Sequence, residues 1–231
     1  MKLLVLVGVL VIFSLFCVCV GTAQQDDGPD NSSEYIWDGT WSSPNYTAYL
    51  KQDASGISGD YVPSDLNMLD PGFFEGNVSE DGKTYSGVWI ETGSNTYTLS
   101  DDMMSFTIEG FSDPYGPMTA PANYTSNATR VGDILDPMNP WSGNWVSGKK
   151  SYNMTQQGAS LTGVNQPLAN VNDEAGVLEG TVSEDGKVYT GNWTEKGGFT
   201  FVMEDTGSSF NATIAKSLDK KAVIEHMIFT K

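Results

Sequence analysis

Twelve residues of this chain are written twice. VSEDGKTYSGVW, from Val78 to Trp89, returns as VSEDGKVYTGNW, from Val182 to Trp193. Extended outward at a constant offset of 104 residues and without a gap, the match runs from Trp37–Phe106 onto Trp141–Phe210, with 25 identities in 70 positions. This repeat constrains the fold more than any other feature. Whatever strands, turns and inward faces one copy makes, the other must be able to make as well.

The repeated stretch has a definite local reading. Asp-Gly between alternating apolar residues signals a hairpin, because a type I′ turn needs positive φ at both central positions. Centring that turn on Asp81-Gly82 pairs Val78 with Tyr85, Gly76 with Gly87 and Phe74 with Trp89. One face then carries Phe74, Gly76, Val78, Tyr85, Gly87 and Trp89, and the other is mostly polar, as in a half-buried antiparallel ribbon. The second copy places Leu178, Gly180, Val182, Tyr189, Gly191 and Trp193 inward.

Two more hairpins follow the same logic. One pairs Gln52 with Ile57 and Leu50 with Gly59, and its twin pairs Gln156 with Leu161 and Met154 with Gly163. The other pairs Leu99 with Phe106 and Tyr97 with Ile108, and its twin pairs Met203 with Phe210 and Phe201 with Ala212. No stretch after the first 23 residues has the 3.6-residue apolar period of a helix. The expected fold class is all-β: two tandem duplicated antiparallel meander units, each a small curled sheet or β-barrel of about six to eight strands. Facing inward glycines such as Gly76 and Gly87 leave room where such a sheet bends sharply.

The remaining segments set the expected domain organisation. Residues 1–23 hold Lys2, an apolar run to Val20 and the small residues Gly21 and Ala23, the pattern of a signal peptide or an N-terminal membrane anchor. Residues 24–35 read as a disordered acidic lead-in and 36–111 as the first β repeat. The Pro- and Asn-rich stretch 112–140 reads as a linker, and 141–231 as the second repeat, with a closing strand at Ala222–Thr230. The leader places everything after it outside the cytoplasm, secreted or anchored at the cell surface. Both cysteines, Cys17 and Cys19, lie in the leader, so no disulfide framework is expected beyond it.

Without the leader the chain keeps 29 acidic residues against 11 basic ones, since only Lys2 of the 12 is removed. That charge argues against nucleic acid or anionic lipid as a partner. A membrane would be engaged only through residues 1–23. Asn-x-Ser/Thr occurs at Asn31, Asn45, Asn77, Asn123, Asn127, Asn153, Asn192 and Asn211, eight of 15 asparagines. Chance would give roughly three, so an N-glycosylated surface is expected. Asn77 and Asn192 fall on the outer face of their hairpins, where a glycan has room.

Little in the sequence points to chemistry. The single histidine, His226, has no thiol or matching motif beside it, and reads as a strand residue rather than the base of a triad. Glu80-Asp81 and Glu184-Asp185 are explained by hairpin tips. Asp101-Asp102 and Glu204-Asp205 read as solvated turns, with weak calcium binding as the alternative. No phosphate loop or metal motif is present, so no catalytic residue, metal ligand or cofactor is assigned. The polar residue that most invites a role is the inward Gln52, repeated as Gln156, because a buried amide must find a partner. That partner is either the core itself or a ligand. Trp41, Trp89, Trp145 and Trp193 carry the same two readings, core filler or stacking platform.

Gly39-Thr40-Trp41 and Gly143-Asn144-Trp145 each open a first strand ahead of a Gly-rich meander, and Gly56-Ile57-Ser58-Gly59-Asp60-Tyr61 is similar to an avidin-type third strand. In this respect each repeat resembles the calycins, the avidins and lipocalins. The resemblance implies a β-barrel around a small-ligand pocket. The ligand-contacting residues of avidins have no matching positions here, so biotin is not carried over. YSGVWIETG also resembles one MORN-type unit, but without that family's regular spacing.

The first functional expectation is therefore an exported, glycosylated, non-enzymatic protein with a structural or interaction role, its partner a glycan or another surface protein. The second is a small-ligand-binding protein with a pocket in each β unit. The third is an extracellular glycan hydrolase, which would need two carboxyls in one cleft. A roomy interior would favour the second reading, and one filled by its own aromatics the first.

Overall fold

The computed structural model describes residues 35–67, 69–169, 173–218 and 223–231. The signal or anchor segment 1–23, the lead-in up to residue 34, Asn31, and Ala222 of the expected closing strand lie outside the described residues. Regular structure among the described residues is antiparallel β. The strands are β1 (Gly39–Ser42), β2 (Tyr46–Asp53), β3 (Gly56–Pro63), β4 (Gly72–Val78), β5 (Thr84–Leu99), β6 (Ser105–Ser112) and β7 (Ala122–Val131), followed by β8 (Gly143–Ser147), β9 (Lys150–Gln157), β10 (Ser160–Pro167), β11 (Gly176–Val182), β12 (Val188–Met203), β13 (Ser209–Ala215) and β14 (Ile224–Thr230).

The hairpins take the registers their side-chain patterns demand. Phe74 faces Trp89 and Gly76 faces Gly87 between β4 and β5. Gln52 faces Ile57, Gln156 faces Leu161, Leu99 faces Phe106 and Met203 faces Phe210. A one-residue slip would turn every inward side chain to solvent, so the apolar pattern fixes each pairing. The Gly76–Gly87 pair is a close approach: a Cβ on Gly87 would lie 2.0 Å from the Glu75 carbonyl oxygen.

The tip of the repeated hairpin differs from the expected type I′ turn. Gly82 has φ +73°, but Asp81 is not in the positive-φ region. The Gly82 N–H donates to the Ser79 carbonyl at 2.9 Å. The Ser79 hydroxyl donates to Asp81 Oδ1 at 2.5 Å and accepts from the Thr84 N–H at 2.9 Å. Asp81 also accepts the Lys83 N–H at 3.0 Å. These local Ser and Asp bonds favour a four-residue loop on an ordinary turn with one left-handed glycine. Ser183, Asp185 and Gly186 build the same loop in the second copy.

The partition of strands also departs from two tandem units. The strands form one closed ring, each hydrogen-bonded to its neighbours in sequence, with β14 returning to β1. A further pairing crosses the ring: β5 lies against β12 from Thr84–Val202 to Thr98–Val188. The other edge of β5 meets β4 along its first half and β6 along its second. That of β12 meets β11 and then β13. The shared ribbon thus pinches the ring into two closed barrels of eight strands. The first barrel takes β1–β4, the first half of β5, the second half of β12, β13 and β14. The second takes the second half of β5, β6–β11 and the first half of β12.

Neither barrel coincides with a repeat. At 16 residues each, β5 and β12 are too long for one small barrel, and each runs out of its own barrel into the other. The stretch 112–140, expected as a linker, contains β7, which pairs with both β6 and β8. The expected C-terminal strand exists as β14, but it closes the first barrel, with Thr230 opposite Ser42.

Each barrel has its own aromatic core, drawn from both copies. Trp37, Trp41, Phe74, Tyr85 and Trp89 pack with Phe199, Phe201, Phe210 and Phe229. Tyr97 and Phe106 pack with Trp141, Trp145, Leu161, Leu178, Tyr189 and Trp193. At the outer ends, the Trp37 and Trp141 indoles donate to the Gly82 and Gly186 carbonyls of the hairpin tips, at 2.8 and 3.0 Å. Lys231 lies over the Trp41 ring and Arg130 over the Trp145 ring. Across the copies, Lys83 pairs with Asp205 and Lys187 with Asp101, which gives those solvated turns lysine partners.

Candidate functional site at the facing ends of the barrels

Four of the six residues singled out as ligand contacts serve the outer ends instead. Trp41 and Trp145 are fully buried, and their indoles donate to the Trp37 and Trp141 carbonyls at 2.8 and 3.0 Å. Gln52 and Gln156 accept the backbone N–H groups of Trp37 and Trp141 at 3.1 and 3.2 Å, and the Gln156 amide donates to the Gly158 carbonyl at 2.9 Å. Core packing satisfies all four. Trp89 and Trp193, by contrast, line inner cavities, one in each barrel. Their indoles donate to the Ala215 and Phe111 carbonyls, at 2.9 and 3.3 Å. His226 sits on β14, within 3.2 Å of the Thr213 hydroxyl. Seven of the glycosylation candidates (Asn45, Asn77, Asn123, Asn127, Asn153, Asn192 and Asn211) are exposed.

The inner ends of the barrels meet around a pair of glutamates. In the shared ribbon Glu91 lies opposite Glu195, its own counterpart at the 104-residue offset, so a local two-fold axis passes between them. Alternation along β5 and β12 puts both on the inward face with Trp89 and Trp193. They are 7% and 4% exposed. Glu174 joins them, and one carboxylate oxygen of each of the three lies within 4.8 Å of the others.

The neighbours of this cluster obey the same two-fold pattern and break it in informative places. The Tyr61 hydroxyl donates to Glu91 at 2.8 Å, while Lys150 pairs with Glu195 and, at 3.3 Å, with Asp173. Glu174, just before β11, reaches out of the second barrel to Lys216 at 2.5 Å, past the end of β13 in the first. Its equivalent Asp70, just before β4, reaches out of the first barrel to the hydroxyl of Ser112, at the end of β6 in the second. Each inner cavity is therefore lipped by an acid from the other barrel.

Three clustered carboxyls face two ammonium groups. Burial, reinforced by the charges of Glu174, Asp70 and Glu195, pushes the Glu91 carboxyl well above its ordinary range. Glu195 is pushed up to about 8 by burial, with Lys150 pulling the other way. Burial also raises Asp70. For Lys150 and Lys216 burial works against the charge, but the carboxylates beside them outweigh it and hold both ammonium groups charged. Glu91, whose one hydrogen-bonding partner among the described residues is a phenol, is the carboxyl best placed to keep a proton. The oxygens are of a type that binds hard cations, but Lys150 and Lys216 already supply positive charge to two of the three.

The two inner cavities differ tenfold in size. That of the first barrel is about 30 Å³, little more than a water molecule requires. That of the second is about 310 Å³ and opens to solvent past Leu66, Asn67, Asn123 and Lys149. Matched positions explain the difference. Where the first barrel has Phe199, Lys216 and Tyr61, the second has Asn95, Ser112 and Asn165. Glu225, opposite Ile214, is replaced by Tyr124, opposite Gly110. Asn95 donates to the Tyr97 hydroxyl at 2.9 Å and accepts from the Tyr124 hydroxyl at 2.7 Å. Asn165 is 3% exposed and accepts the Gly176 N–H at 3.0 Å, but its amide nitrogen has no partner among the described residues.

The acidic cluster was not anticipated, yet a signal for it exists. Glu91 and Glu195 are identical in the two copies and continue the inward phase of Tyr85, Gly87 and Trp89. A charge at an inward position, written twice, marks a buried polar site. No known protein-family model matches this chain, and searches of curated proteins and of solved structures likewise found no match.

Proposed function

We propose that this is an exported, glycosylated, non-enzymatic binding protein whose second barrel holds one small polar ligand, while the first barrel is its structural counterpart. The observation that carries this reading is the 310 Å³ cavity of the second barrel set against the 30 Å³ of the first. The larger volume falls at the lower end of the size range of small-molecule sites, and its lining sets the rings of Trp193, Tyr97, Tyr124 and Tyr152 beside many polar groups, which suits a polar ligand. The calycin-like reading, a closed antiparallel barrel around a ligand, fits the second barrel and not the filled first one. Export rests on the leader, and glycosylation on the sequons together with the exposure of the seven described. The strongly acidic charge speaks against nucleic acid.

A glycan hydrolase would find Asp70, Asp173 and Glu195 in the same cavity. Glu195 is raised to about 8, as a general acid would be, but Lys150 bonds its carboxyl, which competes with donation to a substrate. Native mass spectrometry of the protein purified from its own host, before and after gentle unfolding, tests the binding reading. A small mass that leaves on unfolding is expected. It should be missing from Asn95→Phe, which copies the ring of Phe199 into the second cavity. A host-purified protein carrying covalent glycan alone would return both barrels to a structural role.

A further inference from the structure

We infer that the ligand of the second barrel is an organic amine, whose ammonium group sits beside Asp70 in the place that Lys216 fills in the first barrel. This inference rests on the binding reading above and adds the ligand's chemical class. The chain contains the occupied form of the site. In the first barrel the crossing acid Glu174 meets the Lys216 ammonium at 2.5 Å, with Glu225 3.4 Å from the same nitrogen. The rest of that space is taken by the Phe199 ring and its neighbours. In the second barrel the crossing acid is Asp70, and the position of Lys216 is taken by Ser112. Asp70 makes no ion pair among the described residues, and the position of Phe199 is held by Asn95. At these two matched positions the first barrel has a cation and an aromatic ring, the second has Ser112 and Asn95, and a cavity stands there instead.

The remaining polar capacity of the cavity agrees. Lys150 is ion-paired with Glu195 and Asp173, and it acts on Asp70 only through attraction without a direct ion pair. With Asp70 and Asp173 set against Lys149 and Lys150, the lining carries no net positive charge whether or not Glu195 holds its proton, which gives an anion nothing to favour it. Asn165 lines the cavity and uses its amide oxygen to accept the Gly176 N–H, which leaves its amide nitrogen, without a partner among the described residues, as a donor to an oxygen or ring nitrogen on the ligand. The walls carry Trp193, Tyr97 and Tyr152, rings whose faces favour a cation and an apolar body. The ligand class is thus an ammonium group on a compact, partly aromatic body bearing one hydrogen-bond acceptor.

The test is calorimetric titration of the full-length protein with 2-phenylethylamine and tryptamine, and with 2-phenylethanol as the neutral isostere. An amine should bind at least about tenfold more tightly than the alcohol, since a charge-assisted contact with Asp70 is lost in the latter. Asp70→Asn keeps the shape and the bond to Ser112, and should weaken amine binding by about tenfold to a hundredfold. Ser112→Lys rebuilds the ion pair of the first barrel inside the second, and should abolish amine binding while the protein stays folded by circular dichroism. Equal binding of amine and alcohol, unchanged affinity in Asp70→Asn, or amine binding retained in Ser112→Lys each overturns the inference. So does the failure of both amines at millimolar concentration. In that event the host-purified mass decides separately: a bound mass lost in Asn95→Phe leaves the binding reading standing with a different ligand class, and its absence removes both.

Discussion

The carboxyl cluster predicts an inverted dependence of stability on pH. Most proteins lose stability in acid because native ion pairs are protonated. Here the buried carboxyls are raised in the folded state, so their contribution is fully present below the ordinary glutamate value. It is lost as pH rises through the folded value, which for Glu195 is about 8 against an ordinary 4.5. That distance corresponds to an upper limit of about 5 kcal/mol, at about 1.4 kcal/mol per pH unit. Lys150 lies beside Glu195, and water can enter from the open cavity, so roughly 2–4 kcal/mol is expected between about pH 5 and pH 8.5. For a unit of this size that is a fall in Tm of roughly 5–15 °C.

Glu91→Gln isolates the effect, because the amide keeps an acceptor for Tyr61 and needs no proton. The variant should match wild type near pH 5, exceed it near pH 8.5, and show a flatter curve in urea titrations across the range. Glu80→Gln at the exposed hairpin tip is the control, and should leave the curve unchanged. If wild-type stability rises steadily from pH 5 to pH 8.5, or the Glu91→Gln curve runs parallel to it, the cluster is ionised throughout and the charge argument is wrong.

Three further outcomes are expected. The Tyr85 hydroxyl has the carbonyls of Phe74 and Ile57 at 3.2 and 3.3 Å, whereas the Tyr189 hydroxyl is buried without a partner among the described residues. Tyr85→Phe should therefore cost about 1 kcal/mol in urea unfolding, and Tyr189→Phe should cost nothing or stabilise. Gly87→Ala drives a Cβ into the Glu75 carbonyl and should cost about 2 kcal/mol or more, while Gly82→Ala, with open space but φ +73°, should cost about 1 kcal/mol by thermal melts. Residues 36–111 and 141–231, expressed separately, should show no cooperative unfolding, because each barrel closes with strands from the other copy; a folded 36–111 would refute the interleaved topology.

The strand registers and core faces were readable from sequence because they depend on local alternation and turn chemistry. Phe74, Tyr85, Trp89 and their twins announce an inward face two residues at a time. The destination of β5 was not readable: period-two patterning says which face is inward and nothing about which barrel that face lines. Strand β7 was hidden because it buries so little apolar surface. Ala128 and Arg130 are its buried side chains, and the arginine reaches the core by bonding the Met103, Pro140 and Ser142 carbonyls and covering Trp145. Its counterpart β14 escaped alignment because the two are offset by 101 residues rather than 104, as Ala128 opposite Phe106 and Phe229 opposite Phe210 reveal. Trp41, Gln52, Trp145 and Gln156 read as inward without any indication of which end of a barrel they would occupy, and they bond Trp37 and Trp141 at the outer ends.

Interleaving explains how one repeat can yield two unlike interiors. Each half of the chain, with β7 counted in the first and β14 in the second, gives five strands to one barrel and three to the other, so every cavity is lined by both. The second cavity takes Asp70, Asn95, Ser112 and Tyr124 from the first half of the chain and Lys150, Asn165, Trp193 and Glu195 from the second. A change in one copy therefore alters one wall of one barrel and leaves the equivalent wall of the other untouched. The glutamate pair on the axis is where this freedom ends, since Glu91 and Glu195 touch both barrels at once. Those positions remained identical, while Phe199 and Asn95, or Lys216 and Ser112, went separate ways. The first barrel closes over its own lysine and phenylalanine, and the second, with serine and asparagine at those positions, keeps a cavity.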